Sequence, residues 1–208
     1  FWLKTLGSDD PVTTLCVCNS FGPKAMAMER IISQSSKAAR SEASGQTLVA
    51  NAAVPEERDQ LFVVSCYTRF DNLAHGPRGK EAKRSLHTYR LDGSDGQMTL
   101  LSVTQDQVMN PAFSRVHPRK NVMYTCTESV AENGEIATWA VDAETGALTQ
   151  RSVANAGGTS TCYMTLDREC RNMLVVNYWD ATIGVFGVDP ASGEVTGLRS
   201  MYDPNEGR

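Results

Sequence analysis

Three stretches of the chain follow one pattern at an interval of about fifty residues. They run from Tyr89 through Asp92 and Gly96 to Leu100, from Trp139 through Asp142 and Gly146 to Leu148, and from Phe186 through Asp189 and Gly193 to Val195. Asp92 and Asp142 lie 50 residues apart, and Asp142 and Asp189 lie 47 apart. Each stretch reads as a short strand, a polar turn of the form Asp-x3-Gly, and a second short strand. A repeat of about 40–50 residues built from short strands is the mark of a β-propeller blade. The expected fold class is therefore all-β, a β-propeller of four-stranded antiparallel blades.

The strand pattern extends on both sides of these turns. In the first blade it predicts strand B over Leu61–Tyr67, C over Ser85–Leu91 and D over Met98–Val103. The second blade reads as Pro111–Val116, Val122–Glu128, Glu135–Val141 and Leu148–Val153. The third reads as Thr161–Leu166, Met173–Tyr178, Thr182–Val188 and Val195–Met201. Val, Thr, Tyr and Leu fill these runs, and Gly, Asn, Asp and Pro bound them. Three blades are visible, whereas a closed ring needs at least four, so the chain reads as a piece of a longer protein that continues past Arg208. The pattern divides the chain into an unassigned N-terminal extension, residues 1–60, and a partial propeller, residues 61–208. Within the extension, Pro11–Val17 could supply a strand, and Pro23 to about Ala43 fits a helix with Pro in its first turn. Ser, Ala, Arg30 and Arg40 in that segment fit a targeting role, and Glu29 and Glu42 argue against one.

Bulk properties exclude several partner classes. The net charge is −4 and the pI about 5.4, which gives no global attraction to nucleic acid. No apolar run approaches the ~18–20 residues of a membrane helix. Of the six cysteines, Cys66, Cys126 and Cys162 fall inside predicted strands, and only Cys16 and Cys18 are closely spaced. No pair of C-x-x-C motifs is present, so neither a zinc site nor a disulfide framework is expected. Reduced thiols in a cytoplasmic protein are the reading that follows.

Antiparallel connectivity sorts the polar residues onto two faces. The D–A and B–C loops share one face, the mouth of the channel; the A–B and C–D turns share the other. The mouth collects Asn110, Gly157–Ser160, Thr68, Glu128 and Asn177–Asp180. It also takes the first B–C loop, about residues 68–84, which carries 11 more residues than its counterpart and holds Arg69, His75, Arg78, Lys80, Lys83 and Arg84. That loop is either solvated surface or a lure for an anionic ligand. His117, Asp167 and the three Asp-x3-Gly turns fall on the opposite face. His117 therefore reads as a turn residue, and the aspartates as turn formers. Glu128 ends an otherwise uncharged strand at the mouth, where a carboxylate can act as a base or bind hydroxyls. It is the candidate catalytic residue; the competing role is to cap a loop or pair with an ion. Tyr67, Asn110, Asn177 and Tyr178 are the candidate substrate-binding residues, with hydrogen bonding inside the blade as the plain alternative.

With these residues placed, the chain resembles the seven-bladed β-propeller lactonase family, which includes the cycloisomerase-type 6-phosphogluconolactonases and the carboxy-cis,cis-muconate cyclases. The resemblance rests on five segments in order: Leu61–Thr68, Asn110–Pro118, Tyr124–Glu128, Gly157–Cys162 and Leu174–Tyr178. It spans residues 61–208 and leaves 1–60 outside. It implies a seven-bladed ring, no metal or other cofactor, and a small-molecule lactone as partner, with 6-phosphogluconolactone the expected substrate. It also implies that the main catalytic residues belong to blades after the Asn177-Tyr178 motif and lie beyond Arg208. Two functions stay open: a lactone hydrolase, and a non-catalytic propeller that binds a ligand or protein.

Overall fold

The computed structural model describes residues 12–16, 59–77, 79–105 and 108–206, the first of these for its backbone alone. Twelve strands form three four-stranded sheets. The first sheet comprises β1 (Val12–Cys16), β2 (Gln60–Ser65), β3 (Leu86–Leu91) and β4 (Met98–Val103). The second comprises β5 (Pro111–Val116), β6 (Val122–Thr127), β7 (Asn133–Val141) and β8 (Leu148–Thr159). The third comprises β9 (Thr161–Leu166), β10 (Asn172–Asn177), β11 (Thr182–Val188) and β12 (Val195–Tyr202). In each sheet the strands lie side by side in chain order. The edge strands β1, β5 and β9 lie side by side, which makes them the inner strands of three consecutive blades. The helix expected near residues 23–43 and the targeting reading of that segment lie outside the described residues. Arg208 also lies outside them, as do the catalytic residues expected beyond it. No helix among the described residues is long and apolar enough to cross a membrane.

Two differences from the expected strands have physical causes. β1 supplies the inner strand of the first blade, but it pairs with β2 in parallel, Val12 opposite Leu61 and Cys16 opposite Ser65. Parallel pairing needs a long crossover, and the 43 residues between the two strands allow one. The A–B turns of the other two blades are short, and β5–β6 and β9–β10 are antiparallel. β8 runs on to Thr159, past the expected end at Val153, because Glu135 pairs with Asn155 and Asn133 with Thr159. The register shift there is absorbed by Gly157 at φ 75, whose N–H donates to Asn155 Oδ1 at 2.7 Å.

The three Asp-x3-Gly turns are one device repeated. The Asp carbonyl accepts from the Gly N–H at 3.0, 2.8 and 2.8 Å for Asp92, Asp142 and Asp189. The carboxylate oxygens accept from main-chain N–H groups inside the turn, such as Thr145 to Asp142 at 2.9 Å and Ser192 to Asp189 at 2.6 Å. The closing Gly sits at φ 68–80, where a side chain would be strained.

Blade packing explains the burial of β6. Its residues Val122 to Thr127 are all buried, because the middle blade is covered on both sides. Successive side chains point to opposite faces of a strand. Met123 joins Leu61, Val63, Leu86 and Trp139 between blades one and two, while Val122, Tyr124 and Cys126 join Met164, Met173, Val175 and Phe186 between blades two and three. Burial of these apolar side chains supplies about 25 cal/mol per Å². It also fixes how adjacent blades meet at the mouth.

Candidate functional site at the channel mouth

The mouth is built from two equivalent junctions. Asn110 and Ser160, 50 residues apart, each precede an inner strand and adopt left-handed backbone at φ 46 and 50. Both are buried. Asn tolerates this region well, and the energy cost at either residue is offset by what its backbone holds. The Asn110 carbonyl accepts from Glu128 N–H at 2.9 Å, and the Ser160 carbonyl accepts from Tyr178 N–H at 3.0 Å. Each inner strand thus begins by fixing the residue that follows strand B of its own blade.

The same residues tie neighbouring blades together. Asn110 Oδ1 accepts from Thr68 N–H at 3.0 Å and from Arg69 N–H at 2.8 Å. Val130 N–H donates to Asn72 O at 2.8 Å, and Ser160 N–H donates to Ser129 O at 2.8 Å. The Asn110 Nδ2 group and the Ser160 hydroxyl remain buried without a partner in the structure. Both are polar groups that the surrounding described residues bury without supplying a partner.

Of the sequence-predicted site residues, Tyr67 and Glu128 meet directly. The Tyr67 hydroxyl donates to Glu128 Oε2 at 2.6 Å, although the two residues are 61 apart in sequence. Tyr67 is buried at 8 % exposure, so the phenol fixes the carboxylate from within, and Glu128 itself is half-buried. Cys162, on inner strand β9, shares this corner. Burial pushes its thiol up, the Glu128 carboxylate pushes it further, and the N–H groups of Cys162 and Tyr178 partly offset the shift. This raised thiol is not an activated nucleophile.

Asn177 takes a different position. It is fully buried, and its amide is saturated within its own blade and the approaching end of β8. Oδ1 accepts from Thr161 Oγ1 at 2.8 Å, while Nδ2 donates to Ala156 O at 3.2 Å and Thr182 Oγ1 at 3.1 Å. Its neighbours Tyr178 and Trp179 are exposed at 57 % and 58 %. Asp180 anchors the turn that carries them, accepting from Thr159 N–H at 2.5 Å and Thr159 Oγ1 at 2.9 Å. Gly158 makes this approach possible, since a Cβ there would lie 2.5 Å from Asn177 Nδ2 and 2.8 Å from Asp180 Oδ2.

The long first B–C loop crosses blade two and reaches blade three, where the His75 ring stands 6.3 Å from that of Tyr178. Several of its cations are engaged. Arg69 forms a two-point ion pair with Asp71 at 2.7 and 3.0 Å, and Arg84 Nη1 donates to Gln105 O at 3.0 Å. Glu81 Oε1 accepts from Phe70 N–H at 2.8 Å, which folds the loop on itself. Asp71 and Glu81 lie in the same stretch of sequence as the five Lys and Arg residues and lower the loop's net charge to +3. Arg78 lies outside the described residues.

His117 lies at the other end. It is buried at the β5–β6 turn, its Nδ1 accepts from Arg119 N–H at 3.1 Å, and its ring stands 6.5 Å from that of Tyr124. The Tyr124 hydroxyl donates to Gly193 O at 2.6 Å, in the third Asp-x3-Gly turn. His117 therefore belongs to the face of those turns, a strand length from Glu128.

Comparison with known proteins agrees with this architecture. Residues 62–207 match the family model described as Lactonase, 7-bladed beta-propeller. A putative 6-phosphogluconolactonase from Bacteroides fragilis is similar in fold, with 19 % identity and a TM-score of 0.57 over 75 % of this chain and 40 % of that one. A periplasmic gluconolactonase from Pseudomonas aeruginosa gives 20 % identity and a TM-score of 0.56 over 68 % and 38 %. A Lactobacillus plantarum protein gives 19 % and 0.55 over 70 % and 38 %. The chain thus spans about two fifths of the length of these structures. No curated protein matches the chain. On the family match and the three propeller blades, the chain belongs to the seven-bladed β-propeller lactonase family.

Proposed function

We propose that this chain forms one wall of a lactone-hydrolysing site at the channel mouth, with a sugar lactone as substrate and 6-phosphogluconolactone first among the candidates. The observation that carries the reading is the Tyr67–Glu128 pair at the mouth, where Glu128 is half-buried and its own N–H is anchored to the Asn110 carbonyl. Water attacks the ring carbonyl, Glu128 takes its proton, and N–H donors at the rim stabilise the oxyanion. The oxyanion collapses with cleavage of the ring C–O bond as Glu128 returns the proton to the leaving ring oxygen, giving the open-chain hydroxy acid. Tyr67 orients the carboxylate. The exposed Tyr178 binds the sugar, while Asn110 and Asn177, both fully buried, hold the mouth in shape from beneath. Residues of blades beyond Arg208 complete the site in the whole protein. The first B–C loop, with five Lys and Arg residues against Asp71 and Glu81, keeps a net positive charge that favours a phosphorylated lactone. A cytoplasmic location accords with Cys66, Cys162 and Cys170, which form no disulfide among the described residues.

The test is hydrolysis of 6-phosphogluconolactone and of gluconolactone by the protein that carries this chain. Glu128→Gln keeps the side-chain shape and removes the charge, and turnover should fall by roughly 10²–10⁴. His117→Gln, on the opposite face, should leave turnover nearly unchanged. Full activity in Glu128→Gln together with loss in His117→Gln would place the pocket at the other end of the channel. No hydrolysis of either lactone by the unmodified protein would favour a non-catalytic binding propeller.

A further inference from the structure

We propose that Arg115 and Tyr163 form an oxyanion-binding site on the inner wall of the seam between blades two and three, separate from the mouth. Arg115 is the one charged residue on β5, and β9 carries none. Position 115 corresponds to Thr165 one blade on, so the charge is not part of the repeat. Five residues separate Arg115 from Asn110, roughly 16 Å along a strand, which puts it well down the channel from the Tyr67–Glu128 pair.

The side chain is held in a defined pose. Its guanidinium carbon lies 5.5 Å from the centre of the Phe113 ring and 6.0 Å from that of Tyr163, and the two rings stand 4.9 Å apart. Nε donates to Met164 O and Nη2 to the Tyr163 hydroxyl, both at 3.4 Å. A guanidinium has five N–H donors. Two are used, in long bonds, and three are left with no carboxylate brought to them among the described residues. A half-buried cation is normally paired. Aromatic contacts replace part of its hydration but supply no acceptor in the guanidinium plane. That plane fits an oxyanion presenting two coplanar oxygens, which is the geometry at which Arg binds carboxylate or phosphate by two parallel bonds. Tyr163, 37 % exposed, adds a hydroxyl beside it. The competing role is a clamp between blades. Two bonds of 3.4 Å are poor clamps, and an apolar stem would fill the same seam.

The experiment is calorimetric titration of the protein that carries this chain with sodium phosphate, sodium gluconate and uncharged glucitol, at ionic strength fixed with sodium chloride. Saturable binding of phosphate or gluconate is expected, on the order of millimolar, with none for glucitol. The stronger of the two anions identifies whether a phosphoryl or a carboxylate group is the natural occupant. Arg115→Met should abolish binding, and Arg115→Lys should weaken it roughly tenfold. Tyr163→Phe, which keeps the guanidinium, should weaken it a few-fold. Should Arg115→Met fail to fold, the Lys and Phe variants decide the matter on their own. Absence of saturable anion binding by the wild-type protein, or equal binding by the Lys and Phe variants, would overturn the proposal and leave Arg115 as a clamp. The site stands or falls independently of hydrolysis at the mouth.

Discussion

The Glu128 carboxylate is held on one side by the Tyr67 hydroxyl at 2.6 Å, and its charge raises the Cys162 thiol on the other. Three blades therefore meet in one polar corner. Alkylation of Cys162 by iodoacetamide near pH 8, followed by peptide mapping, should be slower than that of a free thiol. Glu128→Gln removes one cause of the raised value and should speed the reaction roughly two- to tenfold. An unchanged rate at Cys162 would mean that the carboxylate does not reach the thiol.

Tyr67→Phe should cost about 1–3 kcal/mol in urea unfolding, because it removes a short bond to an ionised group in a mostly buried setting. The companion Glu128→Gln keeps an acceptor and should cost less. If the two variants cost the same, the phenol–carboxylate bond is not what stabilises this corner.

Acid stability should follow the turn aspartates. Main-chain N–H groups hold the carboxyls of Asp142 and Asp189 below their ordinary value of 3.8, chiefly those of Thr145 and Ser192. A lowered folded pKa contributes stability that is complete above the unfolded value and disappears as pH falls through the folded one. Asp142→Asn keeps a side-chain acceptor but cannot titrate. Its melting temperature should accordingly fall less steeply than wild type between about pH 5 and pH 2. Parallel curves for the two proteins would remove Asp142 from the account.

Gly134→Ala should be costly. A Cβ at that position would collide with Thr161 Oγ1 and lie 2.7 Å from Thr127 O, and Thr161 is the residue that donates to Asn177. The backbone carbonyl cannot yield, so a loss of about 1–3 kcal/mol is expected. Gly76→Ala, with nothing within 4 Å of its added carbon, serves as the control and should be neutral or slightly stabilising. Equal denaturation midpoints for the two variants would show that the blade two–blade three seam is looser than drawn.

The blades were legible in the sequence because a fifty-residue period, Asp-Gly turns and alternation act locally. Eleven strands of blades one to three lie where the pattern put them, to within two residues except at the end of β8. That exception arose because Gly157 and Gly158 read as loop, whereas a bulge keeps them in the ladder. The parallel sense of β1 depends on a long connection and has no local signature. Connectivity alone separated the face of Glu128 from that of His117. The Tyr67–Glu128 bond could not be read, since it joins side chains 61 residues apart on different blades. Cys162 looked like an ordinary strand thiol, because what sets it apart is its neighbours across the seam. The same holds for Arg115, whose charge is visible in the sequence but whose aromatic flanks come partly from Tyr163 on the next blade.

At the rim, three of the inter-blade bonds, Val130 to Asn72, Ser160 to Ser129 and Thr68 to Asn110, take their donors from the main chain, and two of them take their acceptors from it as well. A frame drawn this way is indifferent to most side chains it presents. Tyr178, Trp179 and His75 could each be exchanged without unfastening any of those three bonds. The mouth can therefore drift in substrate preference through single replacements while its outline persists, and relatives that share the outline at 19–20 % identity need not share a ligand.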